Sequence, residues 1–450
     1  MGQVPSTPAQ GPPFDNGLNP DIDYTFDIDN GLRVKDSDSN TAWEFAIGVA
    51  GIVVFFTIWH WSRHFALNRA STPRTGSVGP KFLVAPSRLA RKHLVPGIQG
   101  FTSRGHVIVV IIYIAINVVL LFTNLDWSLT SNFARRLGWV CTINIAFLFF
   151  LALKVQPLGF LTGFTYERLN NLHQIAGYTT VVLALMHTLA FVASRNQEGL
   201  SYNLSDVLQR PGIVAALLMV GIALTSLTMR KSYYEAFYLI HVIAAVLVLV
   251  TVYRHRPYIR TRTAWIVLVA AVFLLYDKLF RWARYAGNAH GTRATLHPLH
   301  NNATRILLNK SSKKVSRGEH IWLWLWLPGE YRTQTHPFTV VNNDPLEIVL
   351  AAQNGLTQRV NELANLDPGM SVRATWDGPY GRLPRTTLYH RILLVAGGSG
   401  GSWTMALAMT ILDRLPTNSS LQLEIIWVVR TNGDLAPVPV TCDSCQVLCR

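Results

Sequence analysis

The 450-residue sequence has few charged side chains and few cysteines, and both shortages restrict what the protein can be. Only 14% of the residues are charged, well below the share in a soluble protein, whereas 50% are hydrophobic. The four cysteines are Cys141, in an apolar run, and Cys442, Cys445 and Cys449, near the end of the chain. Their spacing indicates no disulfide framework, so a small disulfide-stabilised domain is not expected.

Acidic residues are also scarce, with 25 Asp and Glu against 40 Lys and Arg, which gives a net charge of +15. A basic balance can indicate nucleic-acid binding, but the high apolar content argues against that partner. In a membrane protein, an excess of Lys and Arg more often marks the cytoplasmic loops. We therefore expect a lipid bilayer, and no nucleic acid, as the partner of this chain.

Long apolar runs are what the sequence has in abundance. Residues 1–42 are polar and acidic and predict a disordered extracellular tail, and no signal-peptide pattern precedes the first apolar run. Each of the later runs is long enough, or nearly so, to cross a bilayer as a helix. The seven predicted runs are 43–61, 106–123, 138–153, 172–192, 212–228, 236–253 and 264–280.

The loop between the first two runs sets the predicted topology. Residues 62–105 contain eight Lys and Arg and no Asp or Glu. The positive-inside rule places this loop in the cytoplasm, the N-terminus outside and the C-terminal part in the cytosol. The glycosylation sequon at Asn203 then lies outside, as it should. The basic loop at 254–262 also lies outside, which the rule does not favour.

Four histidines in this apolar region form two pairs with the same spacing. His173 and His187 are 14 positions apart (187 − 173), as are His241 and His255 (255 − 241). Fourteen helical residues turn about 40° short of four full turns and rise about 21 Å, so each pair lies on nearly one helix face. A lone histidine on an apolar helix is more often a core residue than a ligand. The repeated spacing, where ionisable residues are costly, favours ligation.

The predicted topology makes the two histidine-bearing helices parallel. His173 and His241 then lie at one level near the inner leaflet, and His187 and His255 at another near the outer leaflet. The four imidazoles predict two haems, each with two axial histidines. Iron with both axial positions filled has no open site, so electron transfer is the chemistry expected.

The sequence changes character after Arg284 and reads as strands and turns. Residues 321–327 alternate Trp with Ile or Leu, the period of a strand. Residues 391–395 predict a buried strand, and a glycine-rich loop at 396–402, an apolar helix at 403–413 and a strand at 421–429 follow. This order predicts one βαβ unit, whose glycine loop would let a dinucleotide phosphate approach the helix N-terminus.

Several of these features together resemble the fungal ferric reductase transmembrane component family, in the superfamily that includes NADPH oxidases. The features are the paired His-x13-His runs, the motif His336-Pro337-Phe338-Thr339, the motif Gly378-Pro379-Tyr380-Gly381, and the glycine loop with Trp427-Val428-Val429-Arg430 after it. The resemblance covers roughly residues 100–430.

The resemblance implies a multi-pass α-helical membrane bundle of about seven spans with a cytosolic ferredoxin-reductase-like part. That part would be an antiparallel β-barrel FAD domain followed by a partial α/β nucleotide-binding domain. The expected domains are an extracellular tail at 1–42, a transmembrane bis-haem domain at 43–285, the FAD domain at 286–385 and the NADPH-binding domain at 386–450.

The resemblance also implies the cofactors two haem b, FAD and NADPH. The haem iron would be held by His173, His187, His241 and His255. FAD would be bound by His336, Pro337, Phe338, Thr339, Gly355, Thr357, Gly378 and Pro379, and NADPH by Gly397, Gly398, Ser399 and Gly400. In the family, the nucleotide-binding domain continues through further β-α units after its second strand. This sequence ends at Arg450, soon after that strand, so we expect a partial domain here.

The implied function is a plasma-membrane metalloreductase. Electrons would pass from cytosolic NADPH through FAD and the two haems to extracellular ferric, or alternatively cupric, chelates. An iron permease or oxidase system is a candidate partner. The alternatives are an NADPH oxidase that reduces oxygen to superoxide, and a haem-binding membrane protein without reductase activity. The equal histidine spacing and a seventh, N-terminal span favour the metalloreductase.

Overall fold

The structure is a computed structural model. It describes residues 24–70, 89, 92–97, 101, 103–164, 166–197, 209–255, 262–329, 334–384, 391–414 and 421–428. The predicted sequon at Asn203 and the three C-terminal cysteines lie outside the described residues. The chain divides into two compact units, which are described separately: Met1–Gly51, Ile108–Phe147 and Ile175–Leu268 form the first, and Ile52–Val107, Leu148–Gln174 and Val269–Arg450 form the second.

Helices occupy the first two thirds of the described chain. Their bounds are α1 Tyr24–Ala70, α2 Arg104–Phe122, α3 Thr130–Ala152, α4 Pro157–Thr162, α5 Tyr166–Gln197, α6 Gln209–Thr228, α7 Tyr234–His255 and α8 Arg262–Ala289. Six helical segments of the described residues are long and apolar enough to cross a membrane: Asn40–Phe65, Arg104–Phe122, Thr130–Ala152, Arg168–Gln197, Gln209–Thr228 and Tyr234–His255. The multi-pass helical bundle is thus confirmed with six spans.

Two expectations about this region differ from the structure. The seventh predicted run, 264–280, lies in α8 and is not among the six spans; the helix carries Asp277, Lys278 and Arg281 in its second half, which raises its polarity. A crossing by this run stays a prediction. Helix α1 begins at Tyr24, so the part of the expected disordered tail from 24 to 42 is helical. A helix formed in the apolar run extends readily, because each added residue gains a hydrogen bond.

Polar side chains buried in the first unit bond to one another or to the backbone. Tyr113 Oη donates to Asn144 Oδ1 at 2.6 Å, and Asn144 Nδ2 donates to Asn117 Oδ1 at 2.6 Å. Arg136, 1% exposed, donates through Nη1 to the carbonyl oxygens of Leu120 and Thr123 at 3.0 and 2.8 Å. These acceptors lie at the C-terminal end of α2, where the helix dipole favours a cation.

Strands β1 to β6 form a closed antiparallel barrel in the order β1-β2-β5-β4-β3-β6. Their bounds are β1 Arg293–Leu299, β2 Ala303–Leu308, β3 His320–Trp326, β4 Thr335–Asn343, β5 Leu346–Ala351 and β6 Met370–Tyr380, with α9 Leu356–Leu366 after β5. The predicted alternation in β3 is confirmed, since Ile321, Leu323 and Leu325 are buried in the barrel core. The intervening tryptophans lie on the other face.

A βαβ unit follows the barrel, as the sequence predicts. Strand β7 Arg391–Gly397 leads through a short 3-10 turn into helix α10 Gly401–Asp413, and strand β8 Gln422–Val428 pairs with β7 in parallel. Leu394, Leu407, Ile411 and Ile425 form its small core. The fold class of an antiparallel barrel followed by an α/β part is confirmed.

Candidate functional site

The imidazole rings of His187 and His255 lie close together in the first unit. Their ring centres are 6.5 Å apart, with an angle of 71° between the planes. A metal ion between two imidazoles, with metal–nitrogen bonds of about 2.0–2.1 Å as for zinc and about 1 Å from each nitrogen to its ring centre, places the two ring centres about 6 Å apart. The observed separation therefore fits one metal ion held between the two rings.

Helix α3 orients the histidines of α5 through its carbonyl groups. His187 Nδ1 lies 2.8 Å from the carbonyl oxygen of Ala134, and His173 Nδ1 lies 3.2 Å from that of Leu148. A carbonyl accepts only from a protonated nitrogen, so these contacts place the proton on Nδ1 and leave the Nε2 lone pair for a metal. The two acceptors are 14 positions apart (148 − 134), the same spacing as the two histidines.

Two helix glycines leave room for the His187 and His255 rings. A Cβ atom at Gly138 would lie 2.9 Å from His187 Cε1, and one at Gly212 would lie 2.8 Å from His255 Nδ1. Neither distance is compatible with a side chain unless the ring moves. Glycine costs a helix about 1 kcal/mol relative to alanine. These two positions have a steric reason for carrying it, and the sequence analysis missed both.

The other two predicted ligands, His173 and His241, belong to different compact units. His173 belongs to the second unit, where it contacts Leu148 as described. His241 belongs to the first unit, and its ring centre lies 5.3 Å from that of Phe237, one turn earlier on α7. The pairing of His173 with His241 stays a prediction. The ring separation of the other pair, the Nδ1 contact of His187 and the space at the two glycines fit a haem iron that His187 and His255 would hold between them.

The motif His336–Thr339 lies on β4 of the barrel, where its residues have different surroundings. Pro337 is exposed and is the cross-strand partner of Trp322, whereas Phe338 packs against the barrel core. His336 Nε2 lies 3.4 Å from Gln334 Oε1. Thr339 is half-buried opposite His320. Of this motif, Pro337 is the residue that faces a cavity.

That cavity has a volume of about 280 Å³ and lies within the second unit. The predicted motif residues Pro337 and Pro379 line it together with Trp322 and Tyr380. Gly378 has no space for a side chain, because a Cβ atom there would lie 2.9 Å from Ile321 Cγ2. The structure therefore brings one proline from each of the two sequence motifs of the barrel to one cavity.

The segment that joins α3 to α5 forms another wall of the same cavity. Lys154, Gln156 and Phe164 line it. The Lys154 Nζ atom lies 3.2 Å from the centre of the Trp322 ring, close enough for a cation–π interaction. The sequence offered one signal for this residue, a lysine just after an apolar run, and that signal is too common to identify a site.

A buried ionic cluster lies beside the cavity, where α8 meets β6. Asp377, 0% exposed, accepts hydrogen bonds from Arg281 Nε at 2.8 Å, Arg284 Nη1 at 3.2 Å and Tyr380 Oη at 2.7 Å. Burial and the negative charge of Asp377 raise the pKa of Tyr380, so its phenol stays a donor. Two further hydrogen bonds join α8 to β6: Thr375 Oγ1 donates to the Tyr285 carbonyl oxygen, and Asn288 Nδ2 donates to that of Trp376. Asp377 immediately precedes the Gly378 motif, and sequence analysis gave it no role.

The turn at Gly355 opens α9, as predicted. Gly355 has a φ of 80°, a left-handed conformation that favours glycine, and it caps the helix N-terminus. Thr357 Oγ1 accepts a hydrogen bond from the backbone nitrogen of Gln353 at 2.9 Å. The structure thus confirms a glycine turn at a helix N-terminus, and its contact with a pyrophosphate stays a prediction.

The predicted nucleotide loop connects β7 to α10. A Cβ atom at Gly397, Gly398 or Gly400 would meet no atom of the described residues within 4 Å, so this surface is open to a ligand. Ser399 lies between them, and its carbonyl accepts a bond from Ser402 Oγ. Trp427 of β8 stabilises the loop, because its Nε1 donates a hydrogen bond to the Gly398 carbonyl oxygen at 2.8 Å.

Comparison with known proteins gives two matches to sequence families. Residues 137–252 match the family described as ferric reductase like transmembrane component, and residues 289–383 match an FAD-binding domain. The first contains His173, His187 and His241, and the second contains the barrel with the His336 motif. The match over the barrel is the finding that supports FAD as a cofactor.

Curated relatives come from the same family. The chain is 28% identical over 297 residues to ferric reductase transmembrane component 5 of Saccharomyces cerevisiae, covering 63% of this chain and 42% of that protein. It is 25% identical over 325 residues to ferric/cupric reductase transmembrane component 7 of the same organism, covering 67% and 50%. The chain spans about half the length of the curated relatives it matches.

Solved structures also show similarity. A structure of a ferredoxin reductase in carbazole 1,9a-dioxygenase has 14% identity and a TM-score of 0.29, and the likeness covers 35% of this chain and 49% of that one.

Proposed function

We propose that this chain, which belongs to the fungal ferric reductase family by its matched transmembrane and FAD-binding domains, is a membrane metalloreductase. The proposal depends most on one observation, the 6.5 Å separation of the His187 and His255 rings within apolar helices. Imidazoles at this distance would hold one haem iron between them. A bis-histidine iron exchanges electrons and binds no further ligand.

In this proposal the chain's residues position three groups for electron transfer. His187 and His255 hold one haem b, and His173 and His241 hold the other. The barrel cavity beside Pro337 holds the isoalloxazine ring of FAD. The bound groups supply the electron transfer itself, and the protein supplies binding, orientation and electrostatic tuning.

The remaining parts of the proposal concern the ends of the electron path. NADPH is the electron donor, bound at Gly397, Gly398, Ser399 and Gly400, where open glycines let a phosphate reach the N-terminus of α10. Ferric chelates, with cupric chelates as a second substrate, are the acceptors. We place the protein in the plasma membrane with the barrel in the cytosol, because the basic segment 62–105 follows the positive-inside rule. An iron permease or oxidase is the proposed partner.

The proposal is tested by anaerobic absorbance spectroscopy of the purified chain loaded with haem and FAD. We expect the narrow bands of reduced b-type haem after addition of NADPH, and their loss when a ferric chelate is then added. The variant His187→Ala is expected to retain half of the haem. Bands produced by dithionite and not by NADPH would contradict the reductase function of this chain, and no bands at all would contradict the haem sites.

The oxidase alternative has a separate test. Oxygen is added to the NADPH-reduced protein, and the release of superoxide is compared with the formation of Fe(II) from a ferric chelate. A metalloreductase forms Fe(II) at a rate that oxygen does not abolish. Superoxide release without Fe(II) formation would assign the chain to the oxidases.

A further inference from the structure

Lys154 is the cation that lies closest to the aromatic wall of the barrel cavity. It belongs to the connection between α3 and α4, so it reaches the barrel from the helical part of the same compact unit. Its Nζ atom lies 3.2 Å from the centre of the Trp322 ring. Trp322 is the cross-strand partner of Pro337, and both line the cavity. The ammonium group therefore lies within the cavity that we assign to the flavin ring.

The backbone of Lys154 is fixed independently of its side chain. Its backbone nitrogen donates to Asp277 Oδ1 at 2.8 Å. Asp277 is buried on α8, one turn before Arg281 of the ionic cluster. A substitution that removes the ammonium group thus leaves the anchor of this connection in place, so the side chain can be tested alone.

The charges around Lys154 favour a negative ligand. The residues that line the cavity include the cations Lys154 and Arg382 and no carboxylate among the described residues. No described carboxylate lies within 4.0 Å of Nζ. Two buried carboxylates lie near this residue: Asp277 accepts a bond from the Lys154 backbone nitrogen, and Asp377 accepts bonds from Arg281, Arg284 and Tyr380.

The protonation of Lys154 responds to such a ligand. Burial first, and then the positive charges of Arg281 and Lys278, lower the pKa of Lys154 to about 6, against the opposing effect of Asp277 and Asp377. An incoming negative charge acts in the opposite direction and favours the protonated amine. Ligand binding and proton uptake are then coupled at this residue.

We propose that Lys154 is a positioning residue of the flavin site that stabilises the negative charge gained by the isoalloxazine ring on reduction. This inference rests on the proposed function, because it takes the cavity as the flavin site. A flavin bound there would become an anion on accepting a hydride, which is two electrons and one proton, from NADPH, which would leave as NADP⁺. The Lys154 ammonium attracts that anion and not the neutral ring, so it favours the reduced form.

The test measures the affinity of the purified full-length chain for oxidised FAD and for FAD reduced with dithionite, by anaerobic ultrafiltration. In Lys154→Met we expect the affinity for reduced FAD to fall about tenfold more than that for oxidised FAD, which lowers the two-electron potential by ~30 mV. Lys154→Arg keeps the charge and is expected to restore the preference. Lys314→Met removes an exposed lysine of the β2–β3 loop and serves as the matched control.

The outcomes distinguish the flavin site itself from the role of Lys154 within that site. An equal loss for both forms of FAD, or no loss, would overturn the role of Lys154 while leaving the flavin site intact. Absence of FAD binding by the unsubstituted chain would overturn the flavin site and this inference with it.

Discussion

The helical unit, which is the first compact unit, and the barrel unit, which is the second and contains the barrel, hold their buried arginines by different means. In the helical unit, His187 and Arg136 bond to backbone carbonyl oxygens, and Gly138 supplies the space that one of the rings needs. In the barrel unit, the buried cation Arg281 is paired with the carboxylate of Asp377. The first arrangement uses neutral acceptors that the helices already contain, and the second uses opposite charges.

The surroundings of each unit explain this difference. A carboxylate in an apolar span is expensive, whereas helix carbonyls are present at every residue, and those near a helix C-terminus attract cations. At the barrel, two arginines and a tyrosine can share one carboxylate, so that each charge of the group has partners. Two expectations follow: the ionic cluster of the barrel unit is sensitive to loss of a charge, and the histidine pair of the helical unit is sensitive to gain of volume.

The largest expected effect is the loss of the Asp377 charge. Asp377→Asn leaves Arg281 and Arg284 without their carboxylate, and breaking a buried ion pair costs about 3–5 kcal/mol. We expect a fall in melting temperature, measured by tryptophan fluorescence of the purified chain. The control is Asp413→Asn, because Asp413 is 59% exposed where it pairs with Arg317, and exposed pairs contribute about 1 kcal/mol or less. Equal falls in the melting temperature of both variants would show that the buried cluster contributes no more to stability than the exposed ion pair.

The second effect is a gain of volume beside the histidine pair. Gly138→Ala places a Cβ atom 2.9 Å from His187 Cε1, so the ring must move. Overpacking of this kind costs about 1–3 kcal/mol, and we expect an altered haem spectrum and reduced haem content. Gly221→Ala on α6 is the matched control, since a Cβ atom there meets no described atom within 4 Å. An unchanged spectrum in Gly138→Ala would mean that the glycine does not set the ring position.

A third effect concerns the nucleotide loop of the barrel unit, where volume and not charge is limiting. A Cβ atom at Gly401 would lie 2.4 Å from Trp427 Cε2, and the Trp427 ring is buried. We expect Gly401→Ala to lower the melting temperature by the equivalent of about 1–2 kcal/mol. Gly287→Ala on α8 has open space and is the control. Equal melting temperatures of the two variants would contradict close packing of the Trp427 ring against Gly401.

Sequence analysis predicted the parts of this fold that depend on periodicity. Apolar runs predicted the six spans, and the alternation at 321–327 predicted β3. The four histidines were singled out because their spacing is regular, and their role as ligands stays a prediction. The supporting residues Gly138, Gly212 and Asp377 were missed, because their roles depend on neighbours that are distant in sequence: His187 is 49 positions from Gly138 (187 − 138), and Arg281 is 96 from Asp377.

The smallest expected effect is the pH dependence caused by Lys154, which places a titrating charge beside the ionic cluster. Its folded pKa of about 6 lies below the ordinary value of 10.5. Between these values the unfolded chain holds a proton that the folded chain lacks, so the stability of the FAD-free protein rises with pH across this window. Burial is the largest cause of the lowered pKa; the charges of Arg281 and Lys278 add to it, and those of Asp277 and Asp377 oppose it.

The measurement is the melting temperature of the FAD-free chain from pH 6 to pH 8, with Lys154→Met compared with the unsubstituted protein. We expect the variant to gain less stability over this range, because it has no amine that must lose a proton on folding. Lys314→Met should keep the original slope, since that lysine is exposed. Equal slopes in all three proteins would show that Lys154 stays protonated in the folded chain, and the barrel cavity would then contain a permanent positive charge.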